Sequence, residues 1–164
     1  MIYVDDSGWG SLLGGVMIGI YDGYSFKFHK GLIPIKYFQG STFRTGAYRH
    51  IALNIFRNAL TKIKDKTWVT VCRGTCLDEI WNFVKTSTAG VQIIDRQEIK
   101  DPLQSMLENS FAKSLQRYGV PQKTDGAHCL SFDDQLKWIR EDPKRVKYVK
   151  TGWRSWKNKY SVSK

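Results

Sequence analysis

Apolar and polar residues alternate near the N-terminus of the chain and recur at helical spacing beyond residue 45. The alternation predicts strands at about residues 2–5, 12–21 and 24–30, with a further extended piece near 32–37. Asp22-Gly23 separates the second run from the third and is typical of a tight hairpin turn. The first part of the chain is therefore predicted to be an antiparallel meander.

Beyond residue 45, helical stretches alternate with short β-rich runs. In order, the pattern predicts a helix over 45–63, a strand over 67–72, a helix capped by Thr75, a strand over 91–94, a helix opened by Asp101-Pro102 and a short helix capped by Ser131. Residues 146–149 fit either a last strand or an extended arm. This order predicts an α/β fold with a mixed five-stranded sheet. Its first three strands are antiparallel, its fourth and fifth are parallel, and helices cover its faces.

The composition fits one globular domain. The chain has 164 residues, of which 41% are hydrophobic and 25% charged, which is enough to bury a core. No run of about 18 apolar residues is free of charged or turn residues, which argues against a membrane span. An aspartate pair stands where a signal peptide carries positive charge, and three cysteines suit reduced thiols. A cytoplasmic location is therefore expected.

The net charge of +11 is concentrated at the C-terminus. Residues 143–164 contain eight lysines and arginines and no acidic residue, and we interpret them as a basic, aromatic-rich segment after a domain over 1–142. Such asymmetry favours nucleic acid as a polyanionic partner. The residues predicted to contact phosphates and unpaired bases are Lys150, Trp153, Arg154, Trp156, Lys157 and Lys159. The alternatives are that the aromatic residues pack back onto the domain or that the segment is a solvated tail.

The first predicted strand ends in two adjacent carboxylates, Asp5 and Asp6. Carboxylates at the end of a buried strand are costly to desolvate, which favours a bound metal ion or another positive partner. Alternation turns the two side chains to opposite faces of the strand. Asp6 is at least as well explained as a cap of the turn that begins at Ser7-Gly8.

The opening Ile2-Tyr3-Val4-Asp5-Asp6-Ser7, the glycine-containing loop and Gly14-Gly15 resemble the N-terminus of the ribonuclease H-like superfamily. The order of predicted elements over residues 1 to about 118 is similar as well. The resemblance implies a ribonuclease H-like fold and a nuclease that hydrolyses phosphodiester bonds with a pair of divalent ions, Mg²⁺ or Mn²⁺. Asp5 matches the first aspartate of the superfamily, and Glu108 lies near the position of its last carboxylate.

A further candidate ligand is Asp95, because it ends a predicted parallel strand and so belongs to the same sheet edge as Asp5. The candidates for metal binding are therefore Asp5, Asp6 and Asp95, and those for catalysis are Asp5, Asp95 and Glu108. Arg73 follows the strand over 67–72, where its guanidinium suits a phosphate group.

Two positions depart from the pattern of ribonucleases H. The first predicted helix carries no glutamate, and the next strand ends in Cys72-Arg73-Gly74 where a carboxylate is common. Two functions stay open on these grounds: a metal-dependent nuclease, or a non-catalytic ribonuclease H-like module that binds nucleic acid or protein. A third is an enzyme that uses the same scaffold on another class of substrate.

A zinc site is a weaker alternative. Cys72, Cys76, His128 and Cys129 are of the ligand types that zinc prefers. The C-x3-C spacing and the adjacency of the last two residues fit zinc poorly, so buried or idle thiols are the favoured interpretation.

Overall fold

A computed structural model of the protein describes residues 1–64, 68–87, 92–93, 102–122, 130–153 and 156. Several residues singled out from the sequence lie outside these ranges, namely Asp95, Arg154, Lys157, Lys159, His128 and Cys129. What was predicted for them stays a prediction.

The elements follow the predicted order. The strands are β1 (Ile2–Ser7), β2 (Val16–Asp22), β3 (Lys27–Ile33), β4 (Trp68–Val71) and the two-residue β5 (Gln92–Ile93). The helices are α1 (Ala47–Leu60), α2 (Asp78–Thr86), α3 (Leu103–Gln116) and α4 (Phe132–Glu141). Short 3₁₀ turns occupy Ile35–Phe38, Thr42–Thr45, Thr75–Leu77 and Pro143–Tyr148. Among the described residues, no helix is long and apolar enough to cross a membrane.

The four longer strands form a mixed sheet in the order β3-β2-β1-β4. β1 is antiparallel to β2 and parallel to β4, and β2 is antiparallel to β3. An α/β fold with a mixed sheet is thereby confirmed. Gln92–Ile93 pair in parallel with Trp68 and Val69 at the β4 edge, and the neighbouring positions of the predicted fifth strand lie outside the described residues.

Alternation along β1 divides its side chains between the two faces of the sheet. Ile2 and Val4 are buried in the core formed with α1 and α2, which lies on the α1 face. Tyr3 packs on the opposite side, the α3 face, where α3 and α4 form a second core. Asp5 therefore belongs to the α3 face and Asp6 to the α1 face.

Two glycines let the helices approach the sheet closely. A Cβ atom at Gly19 would lie 2.6 Å from Leu107 of α3, and one at Gly31 would lie 2.8 Å from Ile55 of α1. Any larger residue at these points would push the helix away, since real Cβ atoms do not make contacts this short. The absence of a side chain at Gly19 and at Gly31 thus allows α3 and α1 to pack closely against the strands.

Tertiary contacts override local pattern at two strand boundaries. The second strand begins at Val16 rather than near residue 12, because Gly14 takes a φ of 72° and Leu13 pairs with Val149 instead. The extended piece predicted near 32–37 ends at Pro34 and turns into a 3₁₀ segment, which buries Phe38.

The two predicted helix caps have different outcomes. Ser131 caps α4 as predicted, because its hydroxyl accepts a hydrogen bond from the Asp134 backbone N–H at 3.2 Å. Thr75 does not cap α2, because a 3₁₀ turn over Thr75–Leu77 precedes the helix and carries no side-chain cap.

Residues 143–153 pack into the body of the domain. Val149 pairs with Leu13, and the Gln39 side chain donates to the backbone carbonyls of Lys147 and Val149 at 2.8 and 3.1 Å. The Gly152 N–H donates to the Phe38 carbonyl at 2.9 Å. The described part of the predicted basic segment is therefore in contact with the domain predicted over 1–142.

Lys150 is the centre of this attachment. Its side chain is 0% exposed, and its ammonium donates to the carbonyls of Gly8, Ser11 and Leu13 at 2.8, 2.6 and 3.3 Å. A buried ammonium needs such acceptors, because desolvation of a charge is otherwise prohibitive. This corrects the prediction that Lys150 contacts nucleic acid: its charge is enclosed and binds the loop between β1 and β2.

We expect Lys150→Met to lower the free energy of unfolding by about 3 kcal/mol or more, because loop carbonyls would stay buried without their donor. Denaturant unfolding followed by tryptophan fluorescence measures the change. Lys144→Met, at an exposed position of the same basic segment, is the matched control and should change stability little. Equal midpoints for the two variants would contradict a structural role for the Lys150 ammonium.

Candidate functional site

The carboxyl end of β1 carries Asp5 and Asp6, two of the acidic residues that the sequence singles out. Asp5 is buried, and one of its carboxylate oxygens accepts a hydrogen bond from the Asp6 backbone N–H at 2.8 Å. This bond holds the Asp5 carboxylate against the strand end. The side chain of the next residue, Asp6, points to the other face of the sheet, so the two carboxylates lie in different surroundings.

Asp6 lies against the turn that precedes α2. A Cβ atom at Gly74 would lie 2.7 Å from Asp6 Oδ1, so this approach requires glycine. Burial raises the pKa of Asp6 to about 6, and the negative charge of Asp5 adds to the increase. The Cys76 thiol, which donates a hydrogen bond to Asp6, and the Lys150 ammonium oppose it. Asp6 thus titrates close to neutral pH.

Both described cysteines are buried. Burial raises the pKa of Cys76 well above its ordinary value, and the Asp6 carboxylate raises it further by charge and by accepting the thiol hydrogen bond. Cys76 is therefore a protonated donor to Asp6, whereas zinc takes the thiolate. This favours buried thiols over the zinc alternative.

Glu108 reaches the same end of the sheet from α3. Leu107 packs on Gly19, the register partner of Asp5, and Glu108 follows it along the helix. Glu108 lines a cavity of about 410 Å³ together with Ser7 and Gly8, which directly follow the two aspartates. One Glu108 oxygen accepts a hydrogen bond from the Gln104 amide at 3.1 Å.

Arg73 is exposed just beyond β4. The Cys72 N–H donates to the Val4 carbonyl at 2.8 Å, so the parallel pairing of β1 and β4 runs up to this point. Arg73 and the aspartates consequently leave the sheet at the same edge, as expected for parallel strands. This placement agrees with the predicted phosphate contact without testing it.

The described carboxylates supply two separate donor sets. Asp5 belongs to the α3 face, where Glu108 lines the adjoining cavity, whereas Asp6 is occupied with Cys76 on the α1 face. Within the described ranges, no group of three or more His, Cys, Asp or Glu side chains is arranged to hold a metal ion. Carboxylate oxygens such as those of Asp5 and Glu108 are of the ligand type that Mg²⁺ and Mn²⁺ prefer, and the ligand predicted at Asp95 lies outside the described residues.

The tryptophans at 153 and 156 in the C-terminal segment pack on the domain, one partly buried and one buried. Trp156 is buried in the α3-face core. Trp153 packs on Trp9 with ring centroids 6.5 Å apart, and Trp9 in turn contacts Phe38 and Tyr48. The alternative that these aromatic residues pack back onto the domain therefore describes Trp156, whereas the partly exposed ring of Trp153 packs on the domain and its predicted contact with bases stays a prediction.

A second basic region was missed in the sequence analysis although it is visible there. Residues 23–64 contain eight lysines and arginines and no acidic residue. They form the edge strand β3, the following turns and α1. Exposed cations of this region, here termed the basic region, are Lys27, Lys30, Lys36, Arg44, Arg57, Lys62 and Lys64. A search for acid-free stretches along the whole chain, rather than at its end alone, would have found it.

Comparison with known proteins gives no family assignment. No protein-family model, no curated protein and no solved structure matches the chain.

We expect Asp6→Asn to be more stable than the wild type at pH 7 and equal to it below about pH 4. The folded-state pKa of Asp6 lies near 6, above the ordinary 3.8, so the folded protein binds this proton more tightly and loses stability as the pH rises between those values. The gain should be on the order of 1–2 kcal/mol, because Asp6 keeps some solvent exposure.

Urea unfolding in EDTA across pH 4–8 measures this difference. Asp133→Asn, at an exposed carboxylate in the first turn of α4, is the control and should not reproduce the gain. If the free energy of unfolding changed with pH in the same way in the wild type and in Asp6→Asn, this would contradict an unfavourable carboxylate charge at this position.

Proposed function

We propose that the protein binds nucleic acid through the basic region and that its sheet is ribonuclease H-like. The observation that carries the proposal is the run of 42 residues from 23 to 64 without an acidic side chain, which places exposed cations on β3 and α1. An array of cations with no interspersed acids attracts a polyanion by Coulomb forces and by the release of counterions.

The charges of α1 are divided along its length. Near its start, Arg49 faces Asp78 at 4.0 Å and His50 faces Glu79 at 3.6 Å, so α2 neutralises this end. Further along, Arg57 stacks over Phe83 at 4.7 Å, and Lys62 lies two residues beyond the last residue of the helix. Neither cation has an acidic partner among the described residues. The C-terminal end of α1 is consequently the positive part of the helix that is open to phosphates.

The sheet supports the ribonuclease H-like part of the proposal. The order β3-β2-β1-β4, with β1 antiparallel to β2 and parallel to β4, is the arrangement that the resemblance implies. Asp5 lies two residues before the end of the central strand β1, close to where the resemblance places its first aspartate. The proposal also includes a complete fifth strand next to β4.

We expect the protein to bind labelled DNA or RNA oligonucleotides with an affinity that falls by about 10-fold or more between roughly 50 and 200 mM salt. Arg57→Gln combined with Lys62→Gln should weaken binding and lower the slope of log Kd against log salt by about two. Lys113→Gln combined with Lys137→Gln removes two exposed cations from α3 and α4 and is the matched control. Salt-independent binding, or the same loss in both double variants, would contradict the proposal.

A metal-dependent nuclease is the second candidate. It is favoured by the cavity at the end of β1, where Glu108 faces the strand end that carries Asp5. In this proposal Asp5, Glu108 and Asp95 hold Mg²⁺ or Mn²⁺, and Arg73 binds a phosphate oxygen. A bound divalent ion would polarise the phosphodiester and stabilise the attacking and leaving oxygens.

If the protein is a nuclease, Asp5→Asn and Glu108→Gln should each lower Mg²⁺-dependent cleavage by at least about 100-fold, because a carboxylate ligand of the ion is lost. Gel assays on single-stranded, duplex, hybrid and branched substrates measure this, with Asp133→Asn as the control. Activity that survives Asp5→Asn would eliminate the metal site. Binding without cleavage by the wild type on every substrate would leave the non-catalytic binding module.

A further inference from the structure

The tip of the β2–β3 hairpin carries two rings that contact no other ring among the described residues. Tyr24 is 74% exposed and Phe26 is 77% exposed, the highest values among the large apolar residues of the described chain. A single exposed aromatic residue is common, but two at one tip form an apolar surface in water. The tip also precedes Lys27, the first cation of the basic region.

The conformation of the tip is strained. Phe26 has a φ of 57°, the left-handed region that bulky L-residues rarely adopt, and it is the one non-glycine residue with positive φ among those described. Strained residues of this kind persist where their surroundings impose them and cluster at binding sites. A glycine at this position would avoid the strain and would remove the ring.

Asp22 holds the tip in this shape. Its carboxylate accepts hydrogen bonds from the Tyr24 backbone N–H at 3.0 Å and from the Ser25 hydroxyl. Burial by itself would raise the pKa of Asp22, but the bonds from Ser25 and Tyr24 outweigh it and lower the pKa. The carboxylate therefore stays charged at neutral pH and presents the two rings in a fixed turn.

A groove lies beside the strand that leaves the tip. It is a cavity of about 340 Å³ between the edge strand β3 and α1, with an apolar floor at Ile20 and Ile55. His29, Asn58 and Lys62 line it with polar atoms. The His29 Nε2 atom is buried without a hydrogen-bond partner among the described residues, which is unusual for a buried polar atom. The groove thus offers apolar contact, a cation and an unused imidazole nitrogen.

We propose that the hairpin tip and this groove bind an unpaired stretch of nucleic acid, with bases stacked on Tyr24 and Phe26 and phosphates near Lys27 and Lys62. The inference rests on the proposed function and adds a substrate class to it. Aromatic side chains stack on bases only where base faces are accessible, which is the case in single strands, loops and ends. The absence of acidic residues over 23–64 matches a phosphate backbone along the same strand.

The experiment compares one labelled single strand with its duplex in fluorescence-anisotropy titrations. The Tyr24→Ser/Phe26→Gly variant should bind the single strand about 10-fold or more weakly, because two stacking contacts are lost, and should bind the duplex as the wild type does. Its melting temperature should stay equal or rise, since glycine relieves the strain at position 26. Trp68→Ala, which removes a partly exposed ring from β4, is the aromatic control and should retain the wild-type preference.

A cation pair completes the test. Lys27→Gln should lower the salt slope of single-strand binding by about one, whereas Lys85→Gln, at an exposed lysine of α2, should leave it unchanged.

The possible failures are distinguishable. If the wild type binds neither probe, the proposed function is overturned together with this inference. If the wild type binds both probes and the Tyr24→Ser/Phe26→Gly variant binds both equally well, or loses both equally, the nucleic-acid function stands and the single-strand inference is overturned.

Discussion

The buried ammonium of Lys150 joins the two ends of the chain, and the surroundings of the candidate site depend on it. Its three hydrogen bonds end on carbonyls of the loop that follows β1, including Gly8, three residues after Asp5. A loop of this kind leaves carbonyls without partners in secondary structure, and a cation satisfies several of them at once. The same charge opposes the increase in the pKa of Asp6. The Lys150 ammonium thus both attaches the C-terminal segment to the loop and keeps the pKa of Asp6, near the end of β1, from rising further.

The pleat of β1 separates two carboxylates that are neighbours in sequence. Asp6 is turned toward Cys76 and Gly74, where it is partly buried and retains its proton more readily than an ordinary aspartate. Asp5 is on the side of α3 and its Glu108. The two acids of this adjacent pair therefore lie in different surroundings, because successive side chains of a strand point to opposite faces of the sheet.

Positive charge on this protein has two different uses. In the described part of the C-terminal segment, Lys150 binds the loop between β1 and β2, Trp156 is buried in the core and Trp153 packs against it. Over 23–64, the cations lie on an edge strand and a helix, where solvent reaches them. The feature that most suggests a ligand is in this second region: Phe26 has a strained backbone, and its ring is 77% exposed.

Local periodicity was enough to predict the order of strands and helices, the antiparallel start, the Ser131 cap and the opposite orientation of Asp5 and Asp6. The positions of Lys150 and the tryptophans depend instead on tertiary contacts. Lysines exposed to water and Lys150, whose ammonium binds three carbonyls, occur in the same basic stretch of the sequence. The acceptors of Lys150 lie 137 to 142 residues earlier in the chain. Burial is set by contacts between distant segments, so a basic stretch alone does not distinguish a binding surface from a structural anchor.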